Sequence, residues 1–205
     1  EVYKEGQVYF QSYHIGKPDE PVKVIGTCDS EKHGTKVTFH PDPEIFEETV
    51  YDYDTLKQRL RETAFLTKGL RIVLTDTREE SHHCHEFHYA GGIKEFVTYL
   101  NRSKEALYPD VIYCEGTRDG VYVEVAMQHN DSYNDATYSF VNNIITPEGG
   151  THLAGFRNAL TKTFNTYARA NKILKDSEPA LTGDDIREGL TAIISIKIEE
   201  PQFEG

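Results

Sequence analysis

The stretch that decides the fold reads Gly149-Gly150-Thr151-His152-Leu153-Ala154-Gly155-Phe156-Arg157. Two glycines form a tight turn, and apolar residues then recur every three or four positions. This spacing predicts a long helix over residues 151–171. The start of such a helix can hold an anion, although most glycine turns only reverse the chain. We expect the inner stripe of the helix to be Leu153, Phe156, Leu160, Phe164 and Tyr167.

Alternating apolar and polar residues on both sides of this helix indicate a β-sheet. The pair Asp119-Gly120 predicts a hairpin turn, because glycine readily adopts a positive φ. Residues 93–101 predict a helix, and Thr182-Gly183-Asp184-Asp185 predicts the start of a short one. Strands are expected at residues 111–115, 121–129 and 136–144, and a last strand with Ile194, Ile196 and Ile198 on one face. The second half of the chain is therefore an α/β domain.

The first half is less regular. We expect a helix over residues 54–66, ended by Gly69, and strands at residues 8–14, 34–40 and 71–75. A polar, histidine-rich stretch then leads to Gly91-Gly92, which marks a joint. We place a domain boundary there, between residues 1–92 and 93–205, and expect residues 93–205 to fold alone.

Composition limits the class of protein. Of the 205 residues 38% are apolar, which suits a globular chain, and no apolar run approaches the ~18 residues of a membrane helix. The net charge of -12 argues against broad coating of DNA. Three cysteines, an odd number, favour a reducing cytoplasm. The only methionine is Met127, so we expect the chain to be a piece of a longer protein.

One segment departs from the acidic average. Residues 151–175 contain no acid, and such a basic helix can meet phosphate locally. A solvated helix face is the alternative, and charge alone favours it. The bases are Arg157, Lys162, Arg169, Lys172 and Lys175.

The run from His82 to His88 contains good zinc donors, namely four histidines and Cys84. Structural zinc sites, however, normally bring ligand pairs from two segments, and this run has no distant partner pair. We therefore expect no metal site, and keep a non-enzymatic metal-binding module as an alternative of another class.

Further stretches add to the glycine turn and its helix. They are Gly183-Asp184-Asp185-Ile186-Arg187-Glu188-Gly189-Leu190, Pro201-Gln202-Phe203-Glu204-Gly205, and Arg59-Leu60-Arg61-Glu62 with Ala64-Phe65-Leu66. Together they resemble the gyrase B and topoisomerase IV B family of bacterial type II topoisomerases, in order along essentially the whole chain. The junction Glu200-Pro201-Gln202-Phe203 looks more like gyrase, and the close alternative is the B protein of topoisomerase IV, a decatenating enzyme. The same stretches argue against a mismatch-repair ATPase.

The resemblance implies a fold and an activity. Residues 1–92 would be the C-terminal part of a GHKL (Bergerat) ATPase domain, and residues 93–205 a transducer domain with the ribosomal-S5-domain-2-like α/β fold and its left-handed crossover. The intact enzyme would use ATP and Mg2+ to pass DNA strands and introduce negative supercoils. Its partners would be DNA, the gyrase A subunit in a heterotetramer with two copies of each subunit, and a second B subunit on ATP binding.

The resemblance also implies site residues. Gly34 and Thr35 match a nucleotide-contacting pair whose threonine helps to hold adenine, and Lys4 falls where many relatives have an arginine at the mouth of the ATP pocket. Arg157 matches a base that lines the cavity through which DNA is thought to pass. From the residues alone, Gly34 and Thr35 indicate a hairpin glycine followed by a β-branched strand residue, and Arg157 could equally form a surface salt bridge. The family's catalytic base, magnesium ligand and phosphate-binding lysine have no match in residues 1–205, so we expect this chain alone to be inactive.

Overall fold

The computed structural model describes residues 1–78 and 82–203, and these form two compact units, Glu1–Asp52 and Tyr53–Gly205. The division between the units does not coincide with the predicted boundary at residue 92. Residues 53–92 belong to the same compact unit as the residues that follow them. Within the described residues, no helix is both long and apolar enough to cross a bilayer.

The first unit is built on a four-stranded antiparallel sheet in the order β5-β2-β1-β6, and a short hairpin forms from β3 and β4. None of residues 1–52, all of which the structure describes, is buried. The strands are β1 (Val2–Lys4), β2 (Gln7–Phe10), β3 (Tyr13–His14), β4 (Lys17–Pro18), β5 (Lys23–Thr27) and β6 (Gly34–Thr35).

Two predicted strands of the first unit are shorter than expected. The strand expected over residues 8–14 is divided into the end of β2 and β3, and that expected over residues 34–40 survives only as β6. The prediction for residues 36–40 is wrong: they form no strand, and Val37 is 77% exposed. Alternation indicates two faces but does not supply a neighbouring strand, and β6 pairs with β1 only as far as Thr35 opposite Val2.

In its described part, the second unit contains a five-stranded mixed sheet in the order β12-β11-β13-β10-β9, a two-stranded ribbon of β7 and β8, and helices on both sheet faces. Most of these elements agree with the predicted helices and strands to within a few residues, but β8 was not predicted, and the single strand expected over residues 136–144 is divided into β11 and β12. They are α1 (Tyr53–Leu66), β7 (Arg71–Thr75), β8 (Cys84–His88), α2 (Ile93–Leu100), β9 (Ile112–Arg118), β10 (Val121–His129), β11 (Ala136–Val141), β12 (Ile144–Ile145), α3 (Thr151–Ala170), α4 (Gly183–Arg187) and β13 (Leu190–Lys197).

Strand β13 lies in the middle of this sheet, parallel to β11 and antiparallel to β10. Neighbouring side chains of a strand lie on opposite faces, so Ile193 and Ile194 enter two different cores. The first core packs against α1 and α2, the second against α3 and α4. The first consists of Phe65, Leu66, Ile93, Phe96, Val97, Ala126, Phe140 and Ile193, and the second of Val125, Leu160, Ile186, Leu190, Ala192 and Ile194.

Helix α3 covers the second core with most of its predicted stripe. Leu160 is buried, and Leu153, Phe156 and Phe164 pack against the core. The prediction for Tyr167 is wrong, because its side chain is 63% exposed and Ala168 is buried instead. The next buried residue after Phe164 is four positions further on, at Ala168, and not three, at Tyr167. Both spacings are compatible with 3.6 residues per turn.

A buried polar network joins the end of α2 to the sheet. The Asn101 side chain donates to Gln128 Oε1 at 3.0 Å and accepts from Asn130 Nδ2 at 3.2 Å and from the Thr191 hydroxyl at 2.7 Å. Gln128 in turn donates to the Tyr108 carbonyl at 2.9 Å. Because buried polar groups are costly unless they are paired, this network fixes one arrangement of α2 on β10 and β13.

The chain enters β13 through a close backbone approach at Gly189. Its φ is +72°, and a Cβ atom at this position would lie 2.4 Å from the Asn130 carbonyl oxygen and 2.6 Å from that of Ser132. Both neighbours are backbone atoms, so neither can move aside as a flexible side chain would. Glycine is therefore required here for its conformation and for its lack of a side chain.

We predict that Gly189→Ala lowers the free energy of unfolding by about 2–5 kcal/mol, from the left-handed backbone and the steric overlap together. Urea denaturation of the variant and of the parent chain measures this. Gly116→Ala in β9 is the matched control, because its Cβ would meet nothing within 4 Å and its φ is not positive. Equal losses in the two variants would contradict the prediction.

A second prediction concerns the domain boundary. Phe65 and Leu66 share a core with Ile93, Phe96 and Val97, and removing a large buried side chain costs about 2–5 kcal/mol. A chain of residues 53–205 should therefore unfold cooperatively and at a higher temperature than one of residues 93–205. Thermal unfolding followed by circular dichroism measures both. Equal midpoints and equal cooperativity would instead support a boundary at residue 92.

Candidate functional site

The first unit brings the predicted nucleotide-contacting residues together on two adjacent strands. Val2 pairs with Thr35 and Tyr3 with Gly34, so Lys4 follows directly along β1. Since side chains alternate along a strand, Lys4 and Thr35 lie on the same face of the sheet. The φ of Gly34 is +148°, which favours glycine. The Lys4 ammonium is exposed and lies 3.4 Å from the Glu5 carboxylate.

The second unit shows how the double-glycine turn begins α3. Gly149 and Gly150 have φ values of +80° and +143°, and no side chain caps the helix. His152 Nε2 lies 3.2 Å from the Thr146 hydroxyl, and burial lowers the pKa of this imidazole below its ordinary value. The neutral form of His152 is therefore favoured at the positive end of the helix. The turn places Arg157 in the second turn of α3.

Arg157 belongs to a cluster of charges at one end of the sheet. Its Nη2 donates to Asp135 Oδ2 at 3.2 Å, and the same oxygen accepts from Arg187 Nε at 3.1 Å. Arg187 Nη2 also donates to Asp184 Oδ1 at 2.6 Å. Asp135 immediately precedes β11 and Arg187 ends α4, so the cluster connects α3 to both elements. The salt bridge that the sequence offered as an alternative role for Arg157 is therefore present, with Asp135 as its partner.

Another base of the acid-free stretch has a structural role. Arg169 donates from Nη1 to the Lys175 carbonyl at 2.9 Å and from Nη2 to the Glu178 carbonyl at 3.0 Å. These bonds fold the segment after α3 back onto its last turn. Arg169 is therefore engaged within the chain, whereas the Arg157 side chain is 41% exposed.

The histidine-rich run forms β8, which pairs with β7. Alternation along β8 places His85 on one face and Cys84 and Glu86 on the other. His85 Nδ1 lies 2.9 Å from the Tyr53 hydroxyl, and Glu86 forms a 2.6 Å ion pair with Arg71. Among residues 1–78 and 82–203, no group of three histidine, cysteine or acidic side chains is placed to hold a metal ion.

A cavity of about 240 Å³ between the β9–β10 hairpin and the apolar side chains Phe65, Leu66 and Ile93 was not predicted from the sequence. Glu115 and Glu124 face each other across the two strands. The Tyr113 hydroxyl lies 2.6 Å from Glu115 and 2.8 Å from Glu124, and the Tyr122 hydroxyl donates to Glu115 at 2.7 Å. Bonds from Tyr113 and Tyr122 lower the pKa of the Glu115 carboxyl, and Glu115 raises the pKa of Tyr122 to about 12. The sequence does contain a signal for this cluster, because the pattern Tyr-x-Glu occurs on both paired strands, at residues 113–115 and 122–124.

Known proteins similar to this chain point to one family. The sequence model of DNA gyrase B matches residues 92–205. The DNA gyrase B protein of Clostridium acetobutylicum is 57% identical over 206 residues, which cover all of this chain and 32% of that protein. The DNA gyrase B protein of Halalkalibacterium halodurans is 56% identical, with the same coverage of each.

The fold agrees with a solved structure. The 43K ATPase domain of Thermus thermophilus gyrase B, in complex with an aminocoumarin, is similar with a TM-score of 0.85 and 37% identity over 99% of this chain and 55% of that one. This likeness confirms the predicted α/β fold. The chain spans about a third of the length of the two curated relatives. From the match over residues 92–205 and these identities, the chain belongs to the DNA gyrase B family.

Proposed function

We propose that this chain acts within the B subunit of a DNA gyrase, an ATP-dependent type II topoisomerase that couples ATP hydrolysis to strand passage and negative supercoiling. The observation that carries this proposal is the family match over residues 92–205, together with 57% identity along the whole chain to a gyrase B protein. Topoisomerase activity depends on DNA, and the proposed protein partners are the gyrase A subunit and a second B subunit. The three cysteines are free, which suits the proposed cytoplasmic location.

Within this proposal, residues 1–92 are the C-terminal part of the GHKL ATPase domain and residues 93–205 are the transducer. The family match, which begins at residue 92, supports this division by sequence, although residues 53–92 pack in the same compact unit as the residues that follow. The first unit also buries none of its residues, and it exposes apolar side chains such as Val37 and Phe39. Such uncovered apolar surface is typical of a part of a larger domain.

ATP and Mg2+ are the proposed cofactors. Lys4, Gly34 and Thr35 suit one edge of a nucleotide site, because they lie on adjacent strands with an exposed ammonium and a hydroxyl on the same face. In this proposal Thr35 would hold adenine and Lys4 would lie at the mouth of the pocket. The described residues contain no group of three acidic, histidine or cysteine side chains suited to a metal, so we assign no magnesium ligand to them.

Arg157 is the proposed DNA contact of the transducer. Its guanidinium is partly exposed and uses one of its five donors on Asp135. Guanidinium groups suit phosphate, because parallel N–H donors match two phosphate oxygens. The salt bridge to Asp135 and a phosphate contact are compatible, since they use different donors.

The activity can be tested with the full-length protein and its gyrase A partner. We predict that the complex introduces negative supercoils into relaxed plasmid when ATP is present, measured by gel electrophoresis. Without ATP, or without the gyrase A partner, the supercoiling should be lost. Decatenation of linked circles without supercoiling would instead identify topoisomerase IV.

We also predict that Arg157→Gln in the full-length protein impairs supercoiling and DNA-stimulated ATP hydrolysis. Losing one phosphate contact should lower the slope of log affinity against log salt by about one unit. Thermal unfolding of the variant should match that of the parent to within about 1 kcal/mol, since surface ion pairs contribute little.

The matched control for Arg157→Gln is Arg118→Gln. Arg118 carries the same charge, but it lies at the exposed tip of the β9–β10 hairpin, at the opposite end of β10 from Asp135. The Arg118→Gln variant should leave supercoiling and the salt slope of DNA binding unchanged. Normal supercoiling by Arg157→Gln would exclude the proposed contact.

A further inference from the structure

Three side-chain donors converge on the carboxylate of Asp135. The Thr137 hydroxyl donates to Oδ1, while Arg157 Nη2 and Arg187 Nε both donate to Oδ2. The donors come from β11, from α3 and from α4, so each holds the carboxylate from a different direction. Asp135 therefore has a defined position, although it precedes its strand and is partly exposed.

The two guanidinium groups at this carboxylate differ in how many of their N–H donors remain available to a ligand. Arg187 is only 16% exposed and also binds Asp184 at 2.6 Å. Arg157 is 41% exposed and makes a single bond to Asp135, and its buried Nε has no hydrogen-bond partner among the described residues. Arg187 is thus largely occupied within the cluster. Arg157 is held through Nη2, its buried Nε is out of reach of a ligand, and its Nη1 group remains for a phosphate.

The formal charges of the cluster sum to zero, since Arg157 and Arg187 face Asp135 and Asp184. Asp135 offsets one of the two positive charges, and only Asp184 is left to offset the other. Asp184 would cancel that charge, but its side chain is 95% exposed, so water and salt screen it more strongly. The remaining charge is located at Arg157, the exposed member of the pair.

We propose that Asp135 is the positioning residue for the phosphate contact of Arg157, an inference that rests on the DNA contact proposed above. Arginine side chains are long and flexible, and binding is weakened when a side chain must be ordered at the moment of contact. Asp135 orders the guanidinium beforehand, while the remaining donors are left for a DNA phosphate. An acidic side chain beside DNA thus strengthens DNA binding in spite of its charge.

This reverses the effect expected from charge alone. Removing an acid near a polyanion ordinarily strengthens binding. If Asp135 positions Arg157, Asp135→Ala should instead weaken DNA binding several-fold and reduce the salt slope, by less than the unit or so expected for Arg157→Gln. Asp135→Glu, which retains a carboxylate, should restore part of the affinity. The full-length protein with its gyrase A partner is used, and binding is measured by fluorescence anisotropy with a labelled duplex.

Two further variants separate positioning from charge and from folding. Thr137→Val removes the hydroxyl that holds Oδ1 without changing any charge, and it should weaken binding in the same direction by a smaller factor. Asp184→Asn removes the same charge as Asp135→Ala from a residue that contacts Arg187 and not Arg157. It should leave DNA affinity equal to or above that of the parent.

A double-mutant cycle completes the test. In the Arg157→Gln background, Asp135→Ala should cause no further loss of affinity. If it causes the same loss there, or if Asp135→Ala alone binds DNA as tightly as the parent, the inference is overturned. If Arg157→Gln itself binds DNA with unchanged affinity and salt slope, the proposed DNA contact fails first, whatever Asp135 does.

Discussion

The second unit depends on the sharing of β13 between two cores. Its neighbouring residues Ile193 and Ile194 enter opposite sides of the sheet, and hydrogen bonds to β10 and β11 fix the strand on both edges. A shift of one residue would exchange the side chains of the two cores, so the register is strongly specified. This one strand therefore fixes the positions of α1 and α2 on one face relative to α3 and α4 on the other.

The same end of the sheet carries the buried network and the charge cluster. Asn101 and Asn130 fasten α2 and the end of β10 to Thr191 in β13, and Ala136, directly after Asp135, pairs with Thr191. Half-satisfied buried networks are costly, so every member restricts the others. Asp135 therefore stands on a rigid part of the unit, which is what a residue that orients another side chain requires.

Periodicity predicted the long elements well and the short ones poorly. The helix expected at residues 151–171 is α3, because twenty residues repeat one apolar pattern. Residues 36–40 alternate as a strand does but form no strand, since no neighbouring strand pairs with them. At the end of α3, Ala168 is buried where Tyr167 was expected. Resemblance singled out Arg157 but could not single out Asp135. The two lie 22 positions apart, and Arg187 lies 52 from Asp135, so only the fold brings them together.

The structure makes the two interpretations of Arg157, salt bridge and phosphate contact, parts of one arrangement. One carboxylate oxygen is shared by two guanidinium groups at 3.1 and 3.2 Å and holds each of them through a single bond. The Arg157–Asp135 pair is partly exposed, and exposed ion pairs contribute only about 0–1 kcal/mol to stability. The value of the cluster is therefore geometric rather than energetic. A DNA phosphate carries charge and several acceptor oxygens, and it can bind the unused donors while the bond to Asp135 persists. A weak, well-placed ion pair thus sets the position of a positive charge without cancelling it.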